Sequence, residues 1–562
     1  MKKIAKFLIV LGMMGQLSSC DYLDIVPDER AQESDTWKTE GAVRGYLYSC
    51  YGYLPANRTF GNSYWLAEEL TAVTKELFTT FKYGYYSPVS LGFTSNTWST
   101  IWNGIHQCYM FQESLKQVSN EYVTDEMKKQ YLAESNFLIA YYHFLSMRSY
   151  GPTMIIRSVI DLETPISGFP ERSSIDEVVA FINEKLDEAM SEGGLPTTWS
   201  GKDYGRATRL AALALKSRVY LYAASPLYNG NTEMYADFRS PLDGRQLIAQ
   251  EKSQAKWEIS ATQTKYAIDE VEKAKFHLYH DADAGEPSDA KPGLPNKAQR
   301  RLRYTNIDNQ TGNNPEIIWA DTRNDDYYGI QRRCPPRQTL GGKFAGISMT
   351  NCPTLQTIEA FYTKNGLPIN KDKTFDYDER YEYISAPENC DGNNYEDLVK
   401  YANFTPSSDK VMRLCTDREP RFYAWTTYHN GYFEFGKYNN EEISADPAKR
   451  AIRIHLLRDD PHGRGNRTDQ EYSISGFGNK KGVVPSAEWN VIEYPFPLFR
   501  LAELYLNYAE ALVELDRLSE AKVYLDKVRE RAGIPSVDEA WDKYSTNPGY
   551  QNTQEGMREI VR

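Results

Sequence analysis

Two short stretches of the 562-residue chain combine flat aromatic rings with short polar groups. The first is FKYGYYSP, with Phe81, Tyr83, Tyr85 and Tyr86, and it follows closely on Tyr64 and Trp65. The second is DTRNDDYYGIQRR, with Asp321, Arg323, Asn324, Asp326, Tyr327 and Tyr328. Neither stretch keeps a helical stripe, so both are expected in loops. A sugar offers C–H faces ringed by hydroxyls, and it is held by rings that stack and polar groups that hydrogen-bond. Each stack adds on the order of 1 kcal/mol beyond buried area. The expected chemistry is recognition without bond breaking: Tyr64, Trp65, Tyr83, Tyr85, Tyr86, Tyr327 and Tyr328 stack, while Arg323, Asn324 and Asp326 read hydroxyls. The competing use of such tyrosines is to staple long loops to a scaffold.

Catalysis has weaker support. Glycoside hydrolysis needs two carboxyls about 5–10 Å apart, and 77 acidic residues leave that open. The chain has no GxSxG, HExxH or GxxxxGK[ST] motif. His277 and His280, spaced i and i+3 in HLYH, would share a helical face. No carboxylate–histidine set accompanies them, so a solvated or packed pair is expected, with no metal and no cofactor. A hydrolase barrel or sandwich would also show more strands than this chain does. The formal charge of −12 argues against a nucleic-acid face. What stands out in the composition is 42 tyrosines, beside 10 tryptophans and 22 phenylalanines.

The N-terminus indicates the compartment. Lys2, Lys3 and Lys6 precede an apolar run that is too short to span a bilayer, the layout of a secretory signal. Leu17-Ser18-Ser19-Cys20 resembles a bacterial lipobox, which implies cleavage after residue 19 and lipid on Cys20. Several acyl chains on one residue anchor essentially permanently. Of the remaining cysteines none forms a CxxC pair, and their wide spacing fits scattered core thiols better than a disulfide framework.

The elements that must position the loops are mainly helices. YLAESNFLIAYYHFLSMRSYGP keeps helical spacing until Gly151-Pro152. SSIDEVVAFINEKLDEAM starts with a capping box, Ser174 and Glu177. RATRLAALALKSRVYLYAASP is alanine-rich, which lets a neighbouring helix approach closely, and another helix is expected from Lys256 to about Lys275. From 281 to 495 the chain turns irregular, with short strands expected at 316–320 (EIIWA) and 422–428 (FYAWTTY). Residues 496–535 read as a helix, a tight turn near Asp516-Arg517, and a second helix closed by Gly533 and Pro535. Their alternation of small and large residues resembles a tetratricopeptide pair. One pair cannot bury its own face, so the first half must supply partners. The expected fold is mostly α: a tetratricopeptide-like helix-pair superhelix carrying a large irregular mixed α/β insertion. Its parts are a signal peptide at 1–19, an N-terminal helical region at 20–280, the insertion with ligand loops at 281–495, and C-terminal helices at 496–562.

In order, CDYLDIVPDE, WSTIWNGIHQCYMF, DYGRATRLAALALKSRVYLY, NNPEIIWA, PTLQTIEAFYTKNGLPI, DREPRFYAWTTY and FPLFRLAELYLNYAEAL resemble the SusD/RagB family of outer-membrane nutrient-binding lipoproteins. The resemblance implies four helix pairs, a lipid-anchored surface location in the outer membrane, and a lid role over a TonB-dependent, SusC-like transporter. It implies an oligosaccharide ligand bound without cleavage; a peptide ligand, as in the RagB-like branch, is the alternative, and a surface glycoside hydrolase the lesser one. The acids after Cys20 are similar to the family's surface-export signal, and both aromatic stretches fall where the family places ligand contacts. Trp98, Trp102 and Arg206 match structural positions. The chain ends at NTQEGMREIVR, where family members usually continue, so the last helix pair is expected to be incomplete.

Overall fold

The computed structural model describes residues 37–56, 69–72, 94–161, 163–283, 297–308, 314–323, 329–336, 349–385, 410–434, 451–460, 462–465, 472–484 and 493–562. Helices of eight or more residues among them are α1 (Glu40–Tyr51), α2 (Thr94–Leu115), α3 (Asp125–Tyr150), α4 (Ile175–Ala189), α5 (Arg209–Ala224) and α6 (Gln254–Lys273). They continue with α7 (Lys297–Ile307), α8 (Leu501–Glu514), α9 (Leu518–Ala532), α10 (Val537–Tyr544) and α11 (Gln554–Val561).

Local chemistry sets these boundaries. Thr124 caps α3 by accepting from the Met127 N–H, and Gly151 at φ +71° stops it. Almost every side chain from Tyr131 to Met147 is buried, so α3 is the central rod. The Ser174–Glu177 capping box opens α4 as the sequence predicts. On α5, Ala211, Ala212 and Ala214 are fully buried, which gives α6 the close approach expected of an alanine-rich face. Asp516 at φ +58° makes the turn between α8 and α9, and Gly533 at φ +76° accommodates the left-handed cap of α9.

The helices stack in series: α1 on α2, α2 on α3, α3 on α4, α4 on α5, α5 on α6, α6 on α8, and α8 on α9. One apolar core runs through the whole stack, from Val43 and Leu47 on α1 to Met557 and Ile560 on α11. The mostly α, helix-pair architecture is therefore what the chain forms, with both halves contributing pairs. Among the described residues no helix is long and apolar enough to cross a membrane.

Between α6 and α8 the chain builds small two-stranded antiparallel ladders and short helices. The strand expected at 422–428 is mostly a helix, Pro420–Trp425, with a strand left only at Thr426–Thr427. Pro420 sits in the first turn, where its missing N–H costs nothing. The HLYH pair also differs from expectation, because α6 has already ended at Lys273. The two imidazoles lie 5.8 Å apart and stacked, with His277 Nε2 3.4 Å from Asp283. Cys50, Cys108, Cys334, Cys352 and Cys415 are buried and, among the described residues, form no disulfide, as scattered core thiols do.

Candidate functional site

The second aromatic stretch leaves the fold from the strand β1 (Ile317–Asp321), which pairs antiparallel with β2 (Phe496–Arg500). β1 is buried at every residue, and its Trp319 is held edge-on by Phe137 at 5.0 Å and Tyr141 at 5.2 Å from α3. Phe499 of β2 stacks on Trp319 at 5.9 Å, and the Arg218 guanidinium of α5 lies 4.0 Å over Phe499. Arg218 in turn forks onto the Glu503 carboxylate of α8. The strand that delivers the loop is thus fixed to three scaffold helices.

Arg323 follows two residues after β1 ends. Its Nε and Nη2 donate to both Asp321 carboxylate oxygens, at 2.9 and 2.7 Å. Nη1 donates to the carbonyls of Leu54 (2.7 Å) and Gly52 (3.4 Å), and Nη2 also to Pro55 (2.7 Å). All five N–H groups are engaged, which differs from the hydroxyl-reading role expected from sequence. The planar fork instead clamps the chain just after α1 to the chain just after β1. Residue 57 begins the segment that carries Tyr64 and Trp65, and residue 324 begins the segment that carries Tyr327 and Tyr328. The two segments therefore depart from one joint.

They also return to one joint. Leu70 and Thr71 pair with Pro353 and Cys352, and the Glu69 carbonyl accepts from the Thr354 N–H and the Thr357 hydroxyl, each at 2.9 Å. On the other side, the Asn351 N–H donates to the Arg333 carbonyl at 3.0 Å, at the end of the short helix Ile330–Arg333. The segment 351–354 thereby ties residues 69–71 to residues 329–333. Of the expected site residues Arg323 is described; Cys20, Tyr64, Trp65, Tyr83, Tyr85, Tyr86, Asn324, Asp326, Tyr327 and Tyr328 lie outside the described residues.

Near the first joint the charges are neutralised within the protein. Glu134, fully buried on α3, accepts from Arg206 and from the Tyr51 hydroxyl, and Arg206 also pairs with Asp203 at 2.7 Å. Burial raises the pKa of the Glu134 carboxyl, and the Arg206 guanidinium offsets part of that rise. Arg206 is a structural residue, stacked 4.1 Å over Trp199. Gly205, at φ +100°, lets this strap lie against Thr322, whose Oγ1 would be 2.8 Å from an added Cβ. A cleft of about 340 Å³ lined by Trp199, Tyr204, Phe276 and Trp319 lies behind β1. No group of three or more His, Cys, Asp or Glu among the described residues is placed to hold a metal ion.

Trp98 and Trp102, expected in the core, are only half buried. They line a separate cavity of about 350 Å³ against the segment that follows α3. The core placement of both rings follows from the family resemblance, not from their own spacing. The gap beside them is left by the irregular strap at 154–169, which carries no periodic signal.

Comparison with known proteins agrees with this architecture. The model of the SusD family matches residues 315–562, and a model described as starch-binding associating with outer membrane matches residues 21–221. A solved structure titled BT4246 is 27% identical with a TM-score of 0.73, covering 93% of this chain and 86% of its own. A SusD-like protein of Bacteroides fragilis, BF3747, has a TM-score of 0.64 at 20% identity, covering 95% of this chain and 84% of its own. A SusD-like carbohydrate binding protein of the same organism, BF0978, has a TM-score of 0.59 at 18% identity, covering 94% and 83%. No curated protein matches the chain. The two matched models identify residues 21–221 and 315–562 with the SusD/RagB family, and the solved structures share the helix-pair fold.

Proposed function

We propose that this chain is a non-catalytic surface lipoprotein that captures oligosaccharide and passes it to a TonB-dependent, SusC-like transporter in the outer membrane. The observation that carries the reading is the pair of joints: two aromatic segments leave from the Arg323 clamp and return to the 351–354 strap. Rings on both segments would then face a common ligand, with Tyr64, Trp65, Tyr327 and Tyr328 stacking on sugar faces while Asn324 and Asp326 take hydroxyls. Tyr83, Tyr85 and Tyr86 lie on the segment that departs from Ala72, beside the second joint, and would add to the same ligand contacts. Several weak contacts of this kind give micromolar to millimolar capture, which suits cargo that must be released. The matched N-terminal model, of proteins that are starch-binding and associate with the outer membrane, supports both the ligand class and the location. Acylation of Cys20 would tether the body there. Asp321, which pairs with the clamp arginine, and Glu134, which accepts from Tyr51 at the end of α1, are committed to arginines, which favours binding over hydrolysis.

The test is retention of the soluble chain, starting at Asp21, on a panel of immobilised polysaccharides while released reducing sugar is followed. Retention without release is expected, and Tyr327→Ala with Tyr328→Ala should weaken it about tenfold with the melting temperature unchanged. Release of sugar would overturn the reading in favour of a hydrolase, and retention on peptides alone in favour of a RagB-like carrier.

A further inference from the structure

The cavity at the start of α2 has a composition that packing does not explain. Trp98 and Trp102 stand one helical turn apart, with ring centroids 5.3 Å from each other and planes inclined by 59°. Each ring is pinned from behind, Trp98 by the edge of Tyr150 at 4.9 Å and Trp102 by His143 at 6.0 Å. Two fixed indole rings thus form a corner. The facing wall comes from the strap after α3, where the Tyr109 hydroxyl holds the Ile156 carbonyl at 2.7 Å and Phe169 closes one side. The volume of about 350 Å³ lies within the range of small-ligand pockets, roughly 300–1,000 Å³.

The polar groups are what separate this cavity from a packing defect. Ser99, Asn103, His106 and Ser158 line it, each exposed at the cavity mouth with its polar group open to a ligand. The Trp102 Nε1 is itself buried with no hydrogen-bond partner. An orphaned indole N–H costs on the order of 1–3 kcal/mol, so an acceptor brought to it would be favoured. No Lys, Arg, Asp or Glu lines the space, which argues against an anion or a metal. Flat rings beside short neutral hydrogen-bonding groups suit a neutral pyranose.

We propose that this cavity is a second sugar subsite that takes a single neutral pyranose ring, distinct from the surface set by the two joints. The proposal rests on the glycan-capture reading above and adds a place where one residue of a longer chain is gripped. Trp98 and Trp102 offer the stacking faces, and Ser99, Asn103, His106 and Ser158 meet the hydroxyls.

The experiment is saturation-transfer NMR on the detergent-solubilised full chain with methyl α-D-glucopyranoside and N-acetyl-D-glucosamine as probes, and cyclohexanol as an apolar control. Transfer to the C–H protons of at least one sugar is expected, with millimolar affinity. Ser158→Trp, which fills the cavity from an exposed position, should abolish that signal with the melting temperature unchanged. Trp102→Phe keeps a ring but removes the N–H, and should weaken binding three- to tenfold. Absence of any signal sensitive to Ser158→Trp, or transfer to cyclohexanol alone, overturns the subsite. The two readings fail separately, because a mistaken capture role shows in the polysaccharide assay and a mistaken subsite in the monosaccharide signal.

Discussion

The helical stack and the insertion between α6 and α8 solve the same problem differently. The stack shares one apolar core from α1 to α11, so each helix is stabilised by its neighbours. The insertion has small separate apolar clusters, such as that of Ile358, Leu414 and Phe422, and fills the remainder with buried polar groups. Arg418 is the plainest case, 2% exposed and donating to the carbonyls of Leu414, Ile358, Phe361 and Tyr362. Glu316 is another, fully buried and paired with Arg500 and Arg531. Irregular backbone cannot satisfy its own carbonyls, so long side chains do it instead. Regular structure spreads its stability over many weak contacts, whereas irregular structure concentrates it in a few arginines.

The largest expected effect tests that contrast directly. Burial pulls the Arg418 guanidinium down to about 10, which still leaves it charged at neutral pH. Arg418→Ala would strand four buried carbonyls and cost about 3–5 kcal/mol. Hydrogen exchange should show protection lost over residues 355–428 and kept in α3 and α5. Equal loss in both regions would show that the insertion and the stack fold as one unit.

A smaller effect probes the stack. His143, fully buried on α3, places Nδ1 2.8 Å from the Ile139 carbonyl and accepts the Ile156 N–H at Nε2. Burial drives its imidazole down to about 4. The unfolded chain takes up that proton near pH 6.5, so stability is full above that pH and falls as pH drops toward 4. Between pH 7 and 5 the wild type should lose about 2 kcal/mol more than His143→Gln in urea titrations. Parallel pH profiles would remove His143 from the account. The smallest effect is Ser174→Ala, which deletes one reciprocal cap of α4 and should cost about 1 kcal/mol by the same measurement. That loss should be similar at both pH values, since the Ser174 hydroxyl has no charge to titrate.

The same contrast decides what the sequence makes legible. Caps, stops and turns of the helices are local, so Ser174, Gly151, Asp516 and Gly533 can be read from their neighbours alone. The helix at Pro420–Trp425 was hidden because FYAWTTY is rich in residues that favour strands, and its short apolar run carries no period. Arg323 reads as a ligand contact beside two tyrosines, yet its role depends on Leu54 and Pro55, about 270 positions away. Trp98 and Trp102 are assigned to the core by the family resemblance, and the cavity beside them is not legible because its facing wall belongs to a strap without pattern. Long-range polar contacts and gaps leave no mark on spacing.

The clamp at Arg323 and the strap at 351–354 also bear on how such a protein changes its cargo. Each aromatic segment is fastened at both ends to backbone that the helices hold still. On the proposed reading, new residues at 57–68 or 324–328 would alter what is gripped without asking the described scaffold to refold. Diversification can proceed there one tyrosine at a time, while the mounting stays the same.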